Sequence, residues 1–182
     1  MLFRSGTIEP RKEQQQVLDA FELLWKQGMN ANLVIVGKQG WMVDSLVGQI
    51  RNHSELNKRF FWLEGVSDDY LDKVYSASTC LIAASAGEGF GLPLIEAAQH
   101  NLPIIARDIL VFREVAGNHA FYFSGQTPIQ LANAIKEWLA LNALGSAPKS
   151  SDMQWLTWAE SAGQLKHVIL GNGLEQTVTV RI

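Results

Sequence analysis

The sequence holds one cysteine among its 182 residues. An internal disulfide is therefore excluded, and nothing calls for an oxidising compartment. Basic excess is missing too: Lys plus Arg is 15 against 18 Asp plus Glu, a net charge of −3. That excludes a broad nucleic-acid footprint, which needs a basic surface. No apolar run approaches the ~18 residues of a membrane span. Met1-Leu2-Phe3 is followed at once by Arg4 and a turn sequence, so no signal peptide is expected. Repeats and low-complexity stretches are lacking. What is present is 47% hydrophobic and 18% charged residues, enough for a core and too apolar for a disordered chain. At ~150 residues per domain the length implies about one domain. The expectation is a cytoplasmic domain over residues 1–170 with a tail over 171–182.

Short apolar runs alternate with amphipathic stretches, the rhythm of an α/β fold with a parallel sheet. Strands are expected at Leu2–Ser5, Asn32–Val36, Phe60–Leu63, Thr79–Ala84, Pro103–Ala106 and Ala120–Phe123. Helices are expected at Lys12–Gln27, Ser45–His53, Asp68–Ala77 behind the cap Ser67, and Pro93–Gln99. Thr127 and Gln130 form a capping box that opens a helix to Leu144, and Thr157 with Glu160 opens another to Leu170. Gly145–Ser151 reads as a linker, and Thr177–Ile182 as a frayed end or an edge strand. In such a sheet ligands bind beyond the C-terminal strand ends, so the unusual strand-to-helix turns matter most.

The most unusual is Ser85–Glu96, SAGEGFGLPLIE. Gly87, Gly89 and Gly91 permit positive backbone dihedrals and close approach by a ligand. Pro93 suits the first helical position. The amides of Gly91, Leu92 and Leu94 then point out of a helix start, an anion site reinforced by the dipole and fit for phosphate. Glu96, in the first helical turn, would repel a phosphate but can accept hydrogen bonds from ribose hydroxyls. Glu88, on the loop, suits the hydroxyls of a sugar. The dinucleotide pattern G-x-G-x-x-G fails because Leu92 and Leu94 stand where glycine is required, and a Walker loop fails at Asn32 and Gln39.

The turn Gly6–Lys12, GTIEPRK, brings Arg11 and Lys12 to the same rim. An arginine can clasp a phosphate in two places and a lysine adds a compact charge; the plain alternative is a solvated helix start. In Gly37–Trp41, GKQGW, Lys38 either reaches the diphosphate or the sugar, or is an exposed turn lysine. In Leu63–Ser67, LEGVS, the backbone around Val66 either meets a flat base edge or only precedes the cap Ser67. His53, His100, His119 and His167 show no metal-ligand spacing and are expected as surface or capping residues. Cys80, Trp155 and Trp158 are expected to pack, and Arg107, Asp108 and Glu114 to form a salt-bridged turn.

GEGFGLPLIEAA, with glutamates at 88 and 96, resembles the signature of retaining GT-B glycosyltransferases of family 4, and is most similar to bacterial mannosyltransferase-like members. GTIEPRK, LVIVGKQGW, GVSDDYLDKVYSAST, LPIIARD and FREVAG fall in that family's order, so the likeness covers nearly the whole chain. It implies a Rossmann-like three-layer sandwich with about six parallel strands, the C-terminal, donor-binding half of a GT-B fold. It implies transfer of a hexose, mannose first, from a nucleoside diphosphate sugar to a glycan or lipid-linked acceptor in polysaccharide assembly.

By the resemblance, Glu96 matches the ribose-binding glutamate, Glu88 the donor-sugar contact, and Lys12 the diphosphate-binding lysine. Gly91 and Leu92 match loop amides on the diphosphate and sugar, with Gly89 and Phe90 completing that loop. Val66 matches the base contact, and Gly6 gives the donor close approach. Relatives carry arginine directly after the first-strand glycine; this chain has Thr7, and Arg11 is the expected replacement. GDP-mannose is the expected donor, with UDP-sugars next. No metal or other cofactor is required, since the helix dipole, Lys12 and Arg11 can offset the departing charge.

The chain is expected to be the C-terminal half of such an enzyme without its acceptor domain, and so to bind donor without catalysing transfer. The last helix is expected to leave an apolar face exposed or self-paired as a homodimer, and the parent enzyme to associate peripherally with a membrane. The alternatives are a stand-alone nucleotide-sugar-binding module and a sugar-nucleotide epimerase; the second lacks a convincing acid/base set.

Overall fold

The computed structural model of the chain describes residues 1–170; the expected tail strand at Thr177–Ile182 lies outside them. Six strands form one parallel sheet: β1 (Leu2–Ser5), β2 (Leu33–Val36), β3 (Phe60–Leu63), β4 (Cys80–Ala83), β5 (Ile104–Arg107) and β6 (Phe121–Phe123). Their spatial order is β3-β2-β1-β4-β5-β6. Register is set by pairs such as Leu2 with Leu33, Leu2 with Cys80, and Leu81 with Ile104.

β2 and β4 are continuous apolar runs because both faces are covered, whereas β1 ends on Arg4 and Ser5 and β5 on Arg107. Side chains alternate between those faces. Leu33, Ile35, Cys80, Ile82 and Ile105 join α1 (Gln14–Lys26), α2 (Asp44–Arg51) and α6 (Pro128–Ala143) in one core layer. Val34, Val36, Leu81, Ala83 and Ile104 join α3 (Asp68–Ala77), α4 (Leu92–Gln99) and α5 (Leu110–Ala116) in the other. The periodic residues of α1 all turn inward; Phe21 and Leu24 are fully buried, each stabilising the fold by about 1.5–3 kcal/mol. α1 and α6 pack against one another.

The capping boxes form as expected. Thr127 accepts from the amide of Gln130 at the head of α6, and Thr157 from that of Glu160 at the head of α7 (Trp158–Ile169). Ser67 caps α3.

Several expectations are corrected. α5 was not foreseen, because its short span Leu110–Ala116 carries neither a side-chain cap nor an acidic first turn. Pro93 is the second helical residue of α4, after Leu92. The expected linker docks: Ser150 is buried, its hydroxyl donates to the Leu102 carbonyl at 2.8 Å, and Met153 enters the core. Trp158 does not pack among the described residues; it is 82% exposed. Of the two expected readings, His53 is a capping residue and not a surface one: its Nδ1 accepts from the Glu55 amide at 3.1 Å. Its ring lies edge-on between Trp25 and Phe60, with Nε2 3.2 Å from Glu22.

No described helix is long and apolar enough to cross a membrane.

Candidate functional site at the strand-order reversal

The strand order reverses between β1 and β4, and in open α/β sheets ligands bind at such a reversal. The turns leaving these strands are joined there. The Ala86 amide donates to the Arg11 carbonyl at 2.8 Å, and the Arg11 guanidinium donates to the Gly87 carbonyl at 3.1 Å. The Glu88 carboxylate takes three contacts. Arg11 Nη1 is 2.8 Å from Oε2, while Lys12 Nζ at 3.2 Å and the Ser85 hydroxyl at 2.7 Å meet Oε1.

Arg11 and Lys12 are not at a helix start, where their charges would oppose the dipole. They end a 3-10 turn over Pro10–Lys12, and Glu13, at φ 55°, turns the chain into α1. Burial pushes the Glu88 carboxyl up, but the bonds from Ser85 and Arg11 and the charge of Lys12 outweigh it and hold Glu88 below the ordinary carboxylate range. The Glu88 bond raises Arg11 in turn. The two cations share Glu88, and Arg11 also pairs with Glu9 at 3.0 Å.

The next segment turns into α4 through Gly91, whose φ of 94° lies in the left-handed region. A Cβ there would stand 3.2 Å from the Phe112 ring. Gly87 and Gly89 do not adopt positive φ, contrary to expectation. Neither would a Cβ on them meet anything within 4 Å, so the protein itself does not demand glycine at either. The Leu94 amide is not free: it donates to the Gly91 carbonyl at 2.9 Å. The amides of Glu88, Gly89, Phe90, Gly91 and Leu92 have no protein partner among the described residues. Phe90 is half-buried and Leu92 is exposed.

Glu96 lies on the same rim, beside the end of β1. Its Oε2 accepts a hydrogen bond from the Tyr75 hydroxyl, which is 3.1 Å from Ser5 Oγ. Burial, reinforced by the Glu96 carboxylate, drives the Tyr75 phenol well above its ordinary value, so it stays protonated and donates. The Tyr75 ring stacks on His100, centroids 5.1 Å apart. Sequence reasoning missed Arg4, Ser5 and Tyr75. Arg4 and Ser5 carry a signal, being polar residues in an otherwise apolar buried strand. Tyr75 carries none, since an aromatic at a helical core position looks like packing.

The turn after β2 is sewn to the turn after β1. The Ile8 amide donates to the Lys38 carbonyl at 2.9 Å, and the Gly40 amide to the Ile8 carbonyl at 3.0 Å. The Lys38 side chain is exposed and has no partner among the described residues. Gly6, at φ 109°, leaves room for Lys12, whose Nζ would lie 3.1 Å from a Cβ there. Val66 is half-buried against the core, and its backbone N–H and C=O have no partner among the described residues.

The salt-bridged turn is redrawn. Asp108 pairs with Arg113 at 2.7 and 2.8 Å rather than with Arg107, and Glu114 is exposed. Arg107 is buried and binds the carbonyls of Ala84 and Gly125 and the Gln16 side chain. Among the described residues no three or more His, Cys, Asp and Glu side chains come together as metal ligands would.

Chemically, the rim offers two cations and a run of free amides for an anion, flanked by carboxylates that accept from hydroxyls.

Comparison with known proteins supports a family assignment. Residues 1–153 match the model of glycosyl transferases group 1. The serotype-specific mannosyltransferase WbdA of Escherichia coli is 57% identical over 157 residues, 86% of this chain and 19% of that protein. O-antigen chain mannosyltransferase B of Escherichia coli is 32% identical over 114 residues, 62% of this chain and 30% of that one. The chain thus spans about a fifth of the length of WbdA.

Among solved structures, the C-terminal domain of a Francisella tularensis group 1 glycosyl transferase, LpcC, superposes with a TM-score of 0.69 at 17% identity, over 83% of this chain and 80% of that one. The catalytic domain of starch synthase IV from Arabidopsis thaliana, bound to ADP and acarbose, gives 0.73 at 16% identity, over 93% of this chain and 37% of that one. Anabaena HepE, in complex with UDP and glucose, gives 0.69 at 19% identity, over 83% and 41%. These likenesses establish the fold, a Rossmann-like α/β sandwich matching the C-terminal half of such enzymes. The match over residues 1–153, together with that fold, places the chain in the glycosyl transferases group 1 family.

Proposed function

We propose that the chain is the donor-binding domain of a retaining, family 4 glycosyltransferase that moves mannose from a nucleoside diphosphate sugar, GDP-mannose first, to a glycan or lipid-linked acceptor in polysaccharide synthesis. The observation that carries this reading is the convergence of Arg11, Lys12 and Glu88 beside the free amides that lead into α4. Two relatives named as mannosyltransferases support the sugar, and solved relatives carrying UDP or ADP support the nucleotide class.

In this reading the diphosphate displaces Glu88 from Arg11 and Lys12. The two cations and the amides of Gly91 and Leu92 then hold the charge that grows as the sugar departs. Glu88, released from its ion pairs, accepts hydrogen bonds from the sugar hydroxyls. Glu96 takes the ribose hydroxyls, the backbone of Val66 meets the base, and Gly6, Gly89 and Phe90 shape the wall of the cleft. Lys38 reaches in from the neighbouring turn. The cations make a resident metal unnecessary. The acceptor side of the cleft belongs to another domain, so this chain binds donor and does not turn it over.

α7 exposes Trp158, Leu165, Val168 and Ile169 and is where contact with that domain, or with a second copy in a homodimer, belongs. The setting is the cytoplasmic face of a membrane, with the domain itself in solution.

Titration calorimetry against GDP, UDP and ADP, and then their sugars, tests the reading. Binding of one nucleotide, weakened about tenfold or more by Glu96→Ala, is expected from the loss of charge-assisted bonds. Nucleotide affinity unchanged by that substitution overturns the ribose assignment. Nucleotides that all fail to bind overturn the donor reading in favour of a different ligand.

A further inference from the structure

We propose that Arg4 is a positioning residue: through Ser85 and the Lys12 carbonyl it sets the geometry of Glu88 and of the two cations above it. This rests on the donor-binding reading for its functional consequence, though not for its geometry.

Arg4 sits in β1, in the middle of the sheet, and is 2% exposed. Its flanking strands β2 and β4 are apolar throughout. Burying a guanidinium costs several kcal/mol before its contacts are counted, and apolar residues of similar volume commonly serve stability as well or better. Its Nε lies buried without a partner among the described residues. Stability alone therefore gives no reason for arginine here.

Geometry does. Nη2 donates to the Lys12 carbonyl at 2.6 Å and to the Ser85 hydroxyl oxygen at 2.9 Å, while Nη1 donates to the Ile82 carbonyl at 3.2 Å. Lys12 lies eight residues away along the chain and Ser85 lies 81 away. The first acceptor closes the turn that presents Arg11 and Lys12; the second opens the glycine-rich loop that presents Glu88. One nitrogen, Nη2, thus ties the two halves of the site together, while Nη1 on Ile82 fixes the plane of the guanidinium.

The bond to Ser85 has a further effect. A hydroxyl has one hydrogen. With Arg4 donating to its oxygen, that hydrogen is free for Glu88 Oε1 at 2.7 Å. Glu88 is consequently held from two sides, by Arg11 and Lys12 at the rim and by Ser85 from below. When a diphosphate takes the rim cations, the bond from below remains, and Arg4 sets its direction. Burial lowers the Arg4 pKa to about 10, with the Glu88 charge opposing the shift, so the guanidinium is still charged at neutral pH.

The test uses the full 182-residue chain with Arg4→Met, Arg4→Lys and Ser85→Ala, each also combined with Glu88→Gln. One readout needs no ligand: the titration midpoint of the Glu88 carboxyl, followed by carbon NMR. The other is the ratio of GDP-mannose to GDP affinity by calorimetry.

Arg4→Met and Ser85→Ala are expected to raise the midpoint and to reduce the affinity ratio about tenfold, as loss of one bond to a charged group does. Arg4→Lys keeps the charge without the fork and is expected to fall between. With Gln at 88 the ratio should no longer respond to either change. A folded Arg4→Met that is merely less stable, with midpoint and ratio unmoved, overturns the proposal. So does a Ser85→Ala that moves neither, even where Arg4→Met fails to fold. If neither GDP nor GDP-mannose binds the unaltered chain, the donor reading falls, and the midpoint alone still decides whether Arg4 acts on Glu88.

Discussion

The Tyr75 hydroxyl donates to Glu96 Oε2 across 2.5 Å, and it joins a residue of α3 to one of α4 above the end of β1. A carboxylate on a helix has several rotamers; this bond selects one. Tyr75→Phe keeps the ring, its stacking on His100 and its edge contact with Phe3, whose centroid is 4.8 Å away. It removes the hydroxyl, and with it the donor to Glu96 and the partner of Ser5 Oγ. Nucleotide affinity is expected to fall about five- to tenfold with a stability change of about 1 kcal/mol. Calorimetry and urea unfolding on the same sample check both, and an unchanged affinity shows that Glu96 needs no such support.

The glycines of the two turns should divide into two classes. A Cβ at Gly37 would lie 2.1 Å from the Gly6 carbonyl oxygen, on backbone that cannot yield. Gly37→Ala is expected to cost at least about 2 kcal/mol of stability and to loosen the first turn with it. Gly89→Ala meets nothing within 4 Å at a φ that any residue can adopt. Its thermal unfolding should match the parent's, so a loss of nucleotide binding there would measure how closely the ligand approaches the backbone.

Lys38→Ala offers a similar separation. The side chain is exposed and without a partner among the described residues. Its removal should change stability by less than about 0.5 kcal/mol. Weaker donor binding at unchanged unfolding then reports a direct contact, and equal binding removes Lys38 from the site.

Acid sensitivity follows from Glu88, whose folded-state carboxyl titrates below its ordinary value of 4.5. A depressed pKa stabilises the fold fully above the ordinary value and loses that contribution as pH falls through the lowered one. Glu88→Gln should therefore flatten the decline in unfolding free energy between about pH 5 and pH 3. Urea unfolding across that interval checks it, and equal slopes in parent and variant show that the ion pairs with Arg11 and Lys12 contribute nothing.

Much of this was legible in the chain itself. Short apolar runs separated by amphipathic stretches marked the six strands, because a strand buried on both faces is mostly apolar; Arg4, Ser5 and Arg107 are the exceptions. Thr127 with Gln130, and Thr157 with Glu160, marked helix starts because their side chains satisfy amides a few residues away. The glycine-rich turn with Glu88 and Glu96 stood out because so many special residues in one turn exceed what a plain connection needs. α5 escaped for the opposite reason: no side-chain cap marks its start, and its contacts with α4 are tertiary ones.

Sequence by itself decided the local matters: the period of most elements, their caps, and which strand-to-helix turns are unusual in composition. Each depends on interactions spanning a few residues. Only the tertiary structure decided that Arg11 and Lys12 share Glu88, that Tyr75 holds Glu96, and that Arg4 lies beneath the turns it joins. Those relations depend on strand order, which puts β1 beside β4 although their residues are some 78 positions apart. No local pattern encodes that distance, because it is settled by how helices on two faces of a sheet divide the apolar surface between them.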